Sequence, residues 1–433
     1  MKKFLILAAL PAALAAQQPA VDSLRPISLK DAIALATQYA PAAVSAEGQI
    51  STARAGVTSA YAQFIPSLSW SMGQSQQSGP RLGQDGTIIQ YLTPWSYSDG
   101  LRFGLTLFDG GQRLAGLRTA KAAVKSAEAN EVAQKFSIAL QVKTQYYNIL
   151  AAMESEGAAR AQLQQAVEQM KVSVAKVIAG ASTKSDSLQS GIQVANARLA
   201  LLTAQNNLQV ASASLTRLVA TPYLVTADPS DTLAQELTPV DSALVAHLAA
   251  QGPSIRGAQA GVASAEAGVS ASRAPYLPSI SISYGRNGSG FDKYFGIGGG
   301  QLSYSKSLSL SLSYSLFDNW TREAGSVSAS VSLNNARATL RDAQFAAQQN
   351  VVQYVTGLQT LQEEIQIQQQ SIVAAEENLR VQEQRYAVGA STLLDVLTAE
   401  TTLNQARAQL IQYRLNYRTT KAQIEQIIGR DLQ

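Results

Sequence analysis

Cysteine is absent from all 433 residues. That excludes disulfides, thiolate metal sites, cysteine nucleophiles and a lipid anchor on a mature N-terminal cysteine. Histidine occurs once, as His247, with no carboxylate cluster beside it, and it reads as a surface or packing residue. Charged residues are only 15% of the chain and mixed in sign, so no nucleic-acid footprint is visible. No phosphate loop, metal-ligand spacing or nucleophile elbow occurs, and carboxylates are too scattered to select a catalytic pair. The sequence therefore assigns no catalytic, cofactor-binding or metal-binding residue. No stretch approaches the roughly eighteen apolar residues of a membrane-spanning helix.

The N-terminus carries a targeting pattern. Met1-Lys2-Lys3, the apolar run Phe4–Leu10 and the small residues before Gln17 read as a secretory signal peptide over 1–16, cleaved after Ala15 or Ala16. The formal charge of +4 falls to about +2 once Lys2 and Lys3 are removed.

Proline is missing from two long tracts, and those tracts are copies. Phe108-Asp109-Gly110-Gly111 is echoed by Phe317-Asp318-Asn319-Trp320, and Gly180-Ala181-Ser182-Thr183 by Gly389-Ala390-Ser391-Thr392. The interval from Asp109 to Gly180 is 71 residues, and so is that from Asp318 to Gly389. Each tract, rich in Ala and Gln, predicts one helix (110–179 and 319–388) about 100 Å long at 1.5 Å per residue. Such a length calls for a coiled coil or tube. A return helix follows each glycine turn, over 184–220 and 393–428. The chain thus reads as repeats 17–220 and 238–433 joined by a connector at 221–237.

Each repeat opens on a short helical region, with Ser28…Asp31 and Thr238…Asp241 as capping boxes. After Pro66 and Pro278 the period drops from 3.6 to 2. Strands are expected over 66–75, 99–108, 278–285 and 304–317, with 74–100 and 286–303 as Gly- and Ser-rich loops. Strict alternation gives each strand an apolar and a polar face. The polar face is Ser, Thr and Gly, as a water-filled barrel lumen allows. Of 28 aromatic residues, 17 fall within 61–108 and 276–320, among them Trp70, Trp95 and Trp320, as membrane-interface girdles require. A β-sandwich under helices is the rival reading. Four strands cannot close a barrel, and open edges are not tolerated in lipid. The strands must then be completed by further copies of the chain, giving eight, twelve or sixteen.

The long helices carry narrow apolar seams. Leu358, Ile365, Ile372, Leu379 and Tyr386 recur every seven residues; the equivalent first-repeat positions are Ile149, Glu156, Leu163, Met170 and Val177, beside Val142, Tyr146 and Met153. Leu188, Ile192, Ala195, Leu199 and Leu202 mark an inward stripe on the first return helix. A thin seam with polar flanks suits a helical wall wetted on both sides.

The segment Tyr386–Leu397 followed by Ala399-Glu400-Thr401-Thr402-Leu403 resembles the periplasmic tip of the TolC-like outer-membrane efflux protein family. Together with the Phe-Asp-Gly start of the long helix and the four strands, the resemblance spans essentially the mature chain. It implies a homotrimer with a twelve-stranded outer-membrane β-barrel continued by a periplasmic α-helical barrel. It also implies docking to a periplasmic adaptor and an inner-membrane RND or ABC transporter, with no cofactor. By the same resemblance, Gly180, Ala181, Gly389 and Ala390 are adaptor-docking turns, and Asp186, Tyr386 and Asp395 form a tip gate, with Asp186 as hydrogen-bond partner of Tyr386. Thr183…Asp186 and Thr392…Asp395 are also capping boxes, which gives each Asp a purely structural alternative. The family's tip arginine is here Ser391, and its second acidic residue is Thr398. These departures predict a looser latch. A passive channel or adhesin uncoupled from a pump, and a soluble coiled-coil scaffold, are the competing functions. Cargo is left open: drugs, other solutes or protein, with no His or Met cluster to indicate metals.

Overall fold

The computed structural model describes residues 24–82, 88–92, 94–234, 240–295 and 302–432. The expected signal peptide and Thr238 lie outside them. Helices α1 (Leu29–Tyr39) and α2 (Pro41–Ala62) open the chain, and each 71-residue interval contains one unbroken helix of 67 residues, α3 (Gln112–Ile178) and α7 (Thr321–Ala387). The return helices are α4 (Lys184–Val219) and α8 (Leu393–Ile428), each of 36 residues. Two shorter helices, α5 (Ser242–Ala249) and α6 (Pro253–Ser272), precede the second pair of long strands. No helix among the described residues is long and apolar enough to cross a membrane.

Contacts divide the chain into two units. The first comprises the described residues up to Val44, Gln134–Ala246 and those from Asn350 onward. Its core packs Ala32 and Ala36 of α1 against Ile138, Val142, Tyr146 and Ile149 of α3 and Leu215 and Val219 of α4. Ser28 caps α1 by accepting from the Asp31 amide. The short strands β1 (Arg25–Ile27) and β6 (Val225–Ala227) pair in parallel, so the 221–237 connector contributes a buried strand to this core. Arg418 donates to the carbonyl of Thr232 at 2.7 Å and tethers the connector to α8. Lys143 is buried between Glu425 and Asp431, 2.7 Å from each. Burial alone would depress the Lys143 ammonium, but the two carboxylates overcome it and hold its pKa above the ordinary range.

The second unit comprises Ser45–Ala133 and His247–Gln349. Its centre is a four-stranded antiparallel sheet in the order β2 (Ser67–Ser75), β5 (Trp95–Asp109), β7 (Ser279–Asp292), β8 (Ser303–Ser313). A separate hairpin joins β3 (Ser78–Leu82) to β4 (Ile88–Leu92). The strands depart from the sequence reading at both ends. β5 starts at Trp95 and β7 runs on to Asp292, because Ser and Gly keep the two-residue period inside segments whose composition reads as loop. β8 stops at Ser313 rather than 317: its partner ladder ends at Ser279, and Pro278 before it has no N–H to donate. Asp241 is not the third residue of a capping box. Its carboxylate accepts from the amides of Ala243 and Leu244, so it is itself the cap of α5.

Each long helix starts in the same way. Asp109 accepts from the Arg113 amide at 3.0 Å and pairs with its guanidinium at 2.8 Å, and Asp318 does both with Arg322, at 3.1 and 3.0 Å. Two residues with positive φ turn the chain from strand to helix. In the first repeat they are Gly110 and Gly111 (+66° and +88°), and in the second Asn319 and Trp320 (+55° and +63°). A Cβ on Gly110 would sit 2.4 Å from the Ala274 carbonyl oxygen, so no other residue fits there.

Candidate functional site: the hairpin tips and the two-faced sheet

The turns between long and return helices are built identically. At the first, the Gly180 amide donates to Val177 and the Ala181 amide to Lys176; at the second, Gly389 donates to Tyr386 and Ala390 to Arg385. These paired reversed bonds close a helix that ends on a left-handed residue, with φ of +72° at Gly180 and +78° at Gly389. Three residues after each glycine, Thr183 and Thr392 cap the return helices, each in a complete box with Asp186 or Asp395. The result is a compact five-residue reversal, used twice, with Gly389 and Ala390 exposed at the second.

Both tip carboxylates are therefore cap residues. The Ser182 hydroxyl, followed by the Thr183 groups, holds Asp186 below the usual carboxylate range. The Thr392 amide and hydroxyl do the same for Asp395, helped by Arg385. Both are ionised at neutral pH. Capping consumes part of each carboxylate's hydrogen-bonding capacity and leaves its charge at the turn surface.

Tyr386 departs from the pairing that the family resemblance implies. Its hydroxyl is buried and has no hydrogen-bond partner among the described residues. Asp186 is instead engaged by Ser182 and Thr183. Lys176, which sequence reasoning missed, takes the partner's place: its ammonium lies 3.8 Å from the Tyr386 ring centroid and donates to the Tyr386 carbonyl. Its only signal in the sequence is a lysine in the last turn of α3, a position that suits the helix dipole. Ser391 turns back to the carbonyl of Gln382 at 3.3 Å, and Thr398 bonds within its own helix.

The two hairpins are packed differently. The second holds an apolar cluster of Leu379, Tyr386, Leu393, Val396, Leu397 and Leu403. The first closes on small residues: Ser173 and Ser190 are fully buried and share a 2.9 Å hydrogen bond, and Ala197 lies one heptad on. Consequently the stripe of Leu188, Ile192, Ala195, Leu199 and Leu202 is not inward within the chain; Leu188, Ile192, Leu199 and Leu202 are each more than half exposed, and Met170 is exposed as well. Small residues at the hairpin seam let the helices approach closely, and the larger side chains are displaced to the flank.

The sheet is sharply two-faced. Across the ladders Leu68 faces Phe103, Phe103 faces Tyr284 and Tyr284 faces Leu308, while Leu105, Ile282 and Leu310 form the next row. The intervening rows run Ser67–Gly104–Ser283–Ser309 and Ser71–Gly100–Asn287–Ser305. The apolar side chains have no core behind them: Leu308, Leu310 and Leu312 are about 70% exposed. A soluble sheet would bury such a face; a barrel wall turns it to lipid and turns the small polar face to the lumen. Trp70 stands on the apolar face, exposed, with its indole donating to Asp99 at 2.6 Å. Trp95 packs edge-on against Phe295, and Trp320 is exposed beside the start of α7. His247 is exposed on α5.

A membrane-barrel sheet with open edges, continued into paired helices of this length, defines a transenvelope channel subunit. The chain belongs to the outer membrane efflux protein family, which matches residues 32–221 and 244–430. Protein CyaE of Bordetella pertussis is 28% identical over 417 residues, covering 93% of this chain and 84% of that one. The pyoverdine export outer membrane protein OpmQ of Pseudomonas aeruginosa is 26% identical over 385 residues, covering 86% and 78%. Among solved structures, the outer membrane protein VceC of Vibrio cholerae superposes with a TM-score of 0.73 at 20% identity, covering 94% of this chain and 97% of that one. The open-state MtrE outer membrane channel of Neisseria gonorrhoeae gives 0.74 at 20%, covering 96% and 95%. The protein is an outer-membrane channel subunit of an export system. Its four strands, with both edges unpaired among the described residues, are one part of a barrel wall.

Proposed function

We propose that the chain is a passive exit duct with no chemistry of its own, closed and docked at its two hairpin tips. The observation that carries this is the duplicated turn: two identical reversals, each presenting an exposed Ala and Thr around a half-buried Ser, and one ionised carboxylate held in a fixed place by its own cap. In the trimer Asp186 and Asp395 each recur three times around one axis, and like charges so arranged attract cations to a narrow mouth. Gly180, Ala181, Gly389 and Ala390 form the docking surface for the adaptor. Trp70, Trp95 and Trp320 serve as interface anchors at the barrel. The two halves, 17–220 and 238–433, each contribute one hairpin of wall and two strands of barrel.

The missing cysteines make the docking assignment directly testable, because any introduced thiol is unique. Ala390→Cys carrying a short photocrosslinker is expected to capture the adaptor in cells, whereas Ser330→Cys, exposed near the start of α7, is not. Equal capture at both positions, or none at Ala390, rejects the tip as the docking surface.

A further inference from the structure

The small-residue face of the sheet carries one charged side chain above its base. Apart from Asp109, which is held by Arg113 at the foot of β5, the paired positions on this face are Ser, Thr, Gly and Asn, with Phe291 near the far end and Arg102 in the middle. Arg102 lies between Ser69 on β2 and Gly285 on β7, with Ser307 next in the row. Its same-face neighbours along β5 are Gly100 and Gly104. Three of the positions around it are thus glycine. A Cβ at Gly100, Gly104 or Gly285 would come within 3.0–3.2 Å of a serine hydroxyl on the adjoining strand, so this floor is already closely packed without side chains. The guanidinium stands exposed over that floor, with no hydrogen bond or ion pair to any described residue.

An arginine without a counter-charge on a lumen wall is costly unless something anionic comes to it. A guanidinium is charged at every accessible pH, and its planar fork matches carboxylate and phosphate oxygens. In the trimer three copies lie at one level around one axis. Eight strands enclose little more than side chains and sixteen an open aqueous pore, so a twelve-stranded lumen lined by Ser and Gly is wet and narrow. A ring of fixed cations in such a low-dielectric wall focuses its field on the axis.

We propose that Arg102 forms a three-fold cationic ring in the barrel lumen that transiently binds anions and favours the passage of carboxylate- or phosphate-bearing solutes. This rests on the duct reading above and adds a substrate class to it. It also separates two electrostatic stations in one channel, acidic at the tips and basic in the barrel.

The test uses the purified full-length trimer in planar bilayers under a potassium chloride gradient. Arg102→Gln should move the reversal potential toward cation preference, lowering the chloride-to-potassium permeability ratio by about threefold or more. Arg102→Lys should keep the wild-type sign. Added inorganic phosphate should slow the wild-type current and leave that of Arg102→Gln unaffected. Recovery of each variant as an SDS-resistant trimer establishes folding, and Arg102→Lys supplies the reading if the glutamine variant does not assemble. If Arg102→Lys and wild type are alike in reversal potential and both are indifferent to phosphate, the inference fails. Identical reversal potentials for wild type and Arg102→Gln overturn it alone, whereas no conductance from any folded trimer overturns the duct reading and this inference with it.

Discussion

Lys176 and Tyr386 join the two hairpins: the ammonium of the first sits over the ring of the second and donates to its carbonyl. This contact stands where the family resemblance implies a Tyr386–Asp186 bond. A partly desolvated cation–π contact contributes about 1–2 kcal/mol. Lys176→Met, which keeps the chain length and removes the charge, is expected to free the second hairpin and raise the open fraction of single channels by roughly an order of magnitude. An unchanged open fraction would show that the contact does not latch the tip.

The tip glycines and the glycine at the strand-to-helix junction should respond unequally. Gly180→Ala and Gly389→Ala meet no atom within 4 Å, so each costs only the left-handed backbone, about 1–2 kcal/mol. Gly110→Ala drives a methyl into the Ala274 carbonyl and should abolish assembly. SDS-resistant trimer recovered from outer membranes measures both. Normal recovery of Gly110→Ala would contradict the strand-to-helix geometry described above.

Glu400 is buried in the second hairpin beside a small cavity lined by Gln165, Gln169 and Glu383. Burial, with a lesser push from Glu383, raises its carboxyl above the ordinary 4.5. A raised folded-state pKa favours the protonated form, so its contribution to stability is fully present below about pH 4.5 and is lost as pH rises through the higher folded value. Glu400→Gln should therefore raise the melting temperature at pH 7.5, with the gain shrinking as the pH falls toward 4.5. A gain independent of pH would mean that folding does not raise the Glu400 carboxyl.

The flank of α4 offers an assembly test. Leu188, Ile192, Leu199 and Leu202 lie exposed on the single chain, and a wall closed from three copies has apolar surface to cover. Leu199→Glu is expected to weaken the SDS-resistant trimer while leaving helix content by circular dichroism unchanged. A trimer as resistant as wild type would place this stripe outside the assembly contacts.

Much of this architecture was legible in the chain. Two equal proline-free intervals fixed the helix lengths, and the Ser-alternating segments declared both faces of the sheet. What could not be read depended on neighbours. The inward face of α4 is set by Ser190 and Ala197, small residues whose value lies in how closely α3 can approach, and hydrophobicity alone points to the wrong stripe. The extensions of β5 and β7 hide in Gly and Ser, which carry strand period without strand propensity. Lys176 gains its role only from a ring 210 residues away. Gly110-Gly111 and Asn319-Trp320 look unlike in sequence yet share one backbone conformation, which the bulk of Trp320 conceals.

The most direct test of a duct gated at its tips is single-channel recording of the purified trimer, with a trivalent cation added to one side and then the other. The account predicts discrete conductance that is blocked from the tip side only, with the block weakened at least about tenfold in Asp395→Ala, where a three-fold ring of charge is lost. Block undiminished in Asp395→Ala, or equal from both sides, would contradict it.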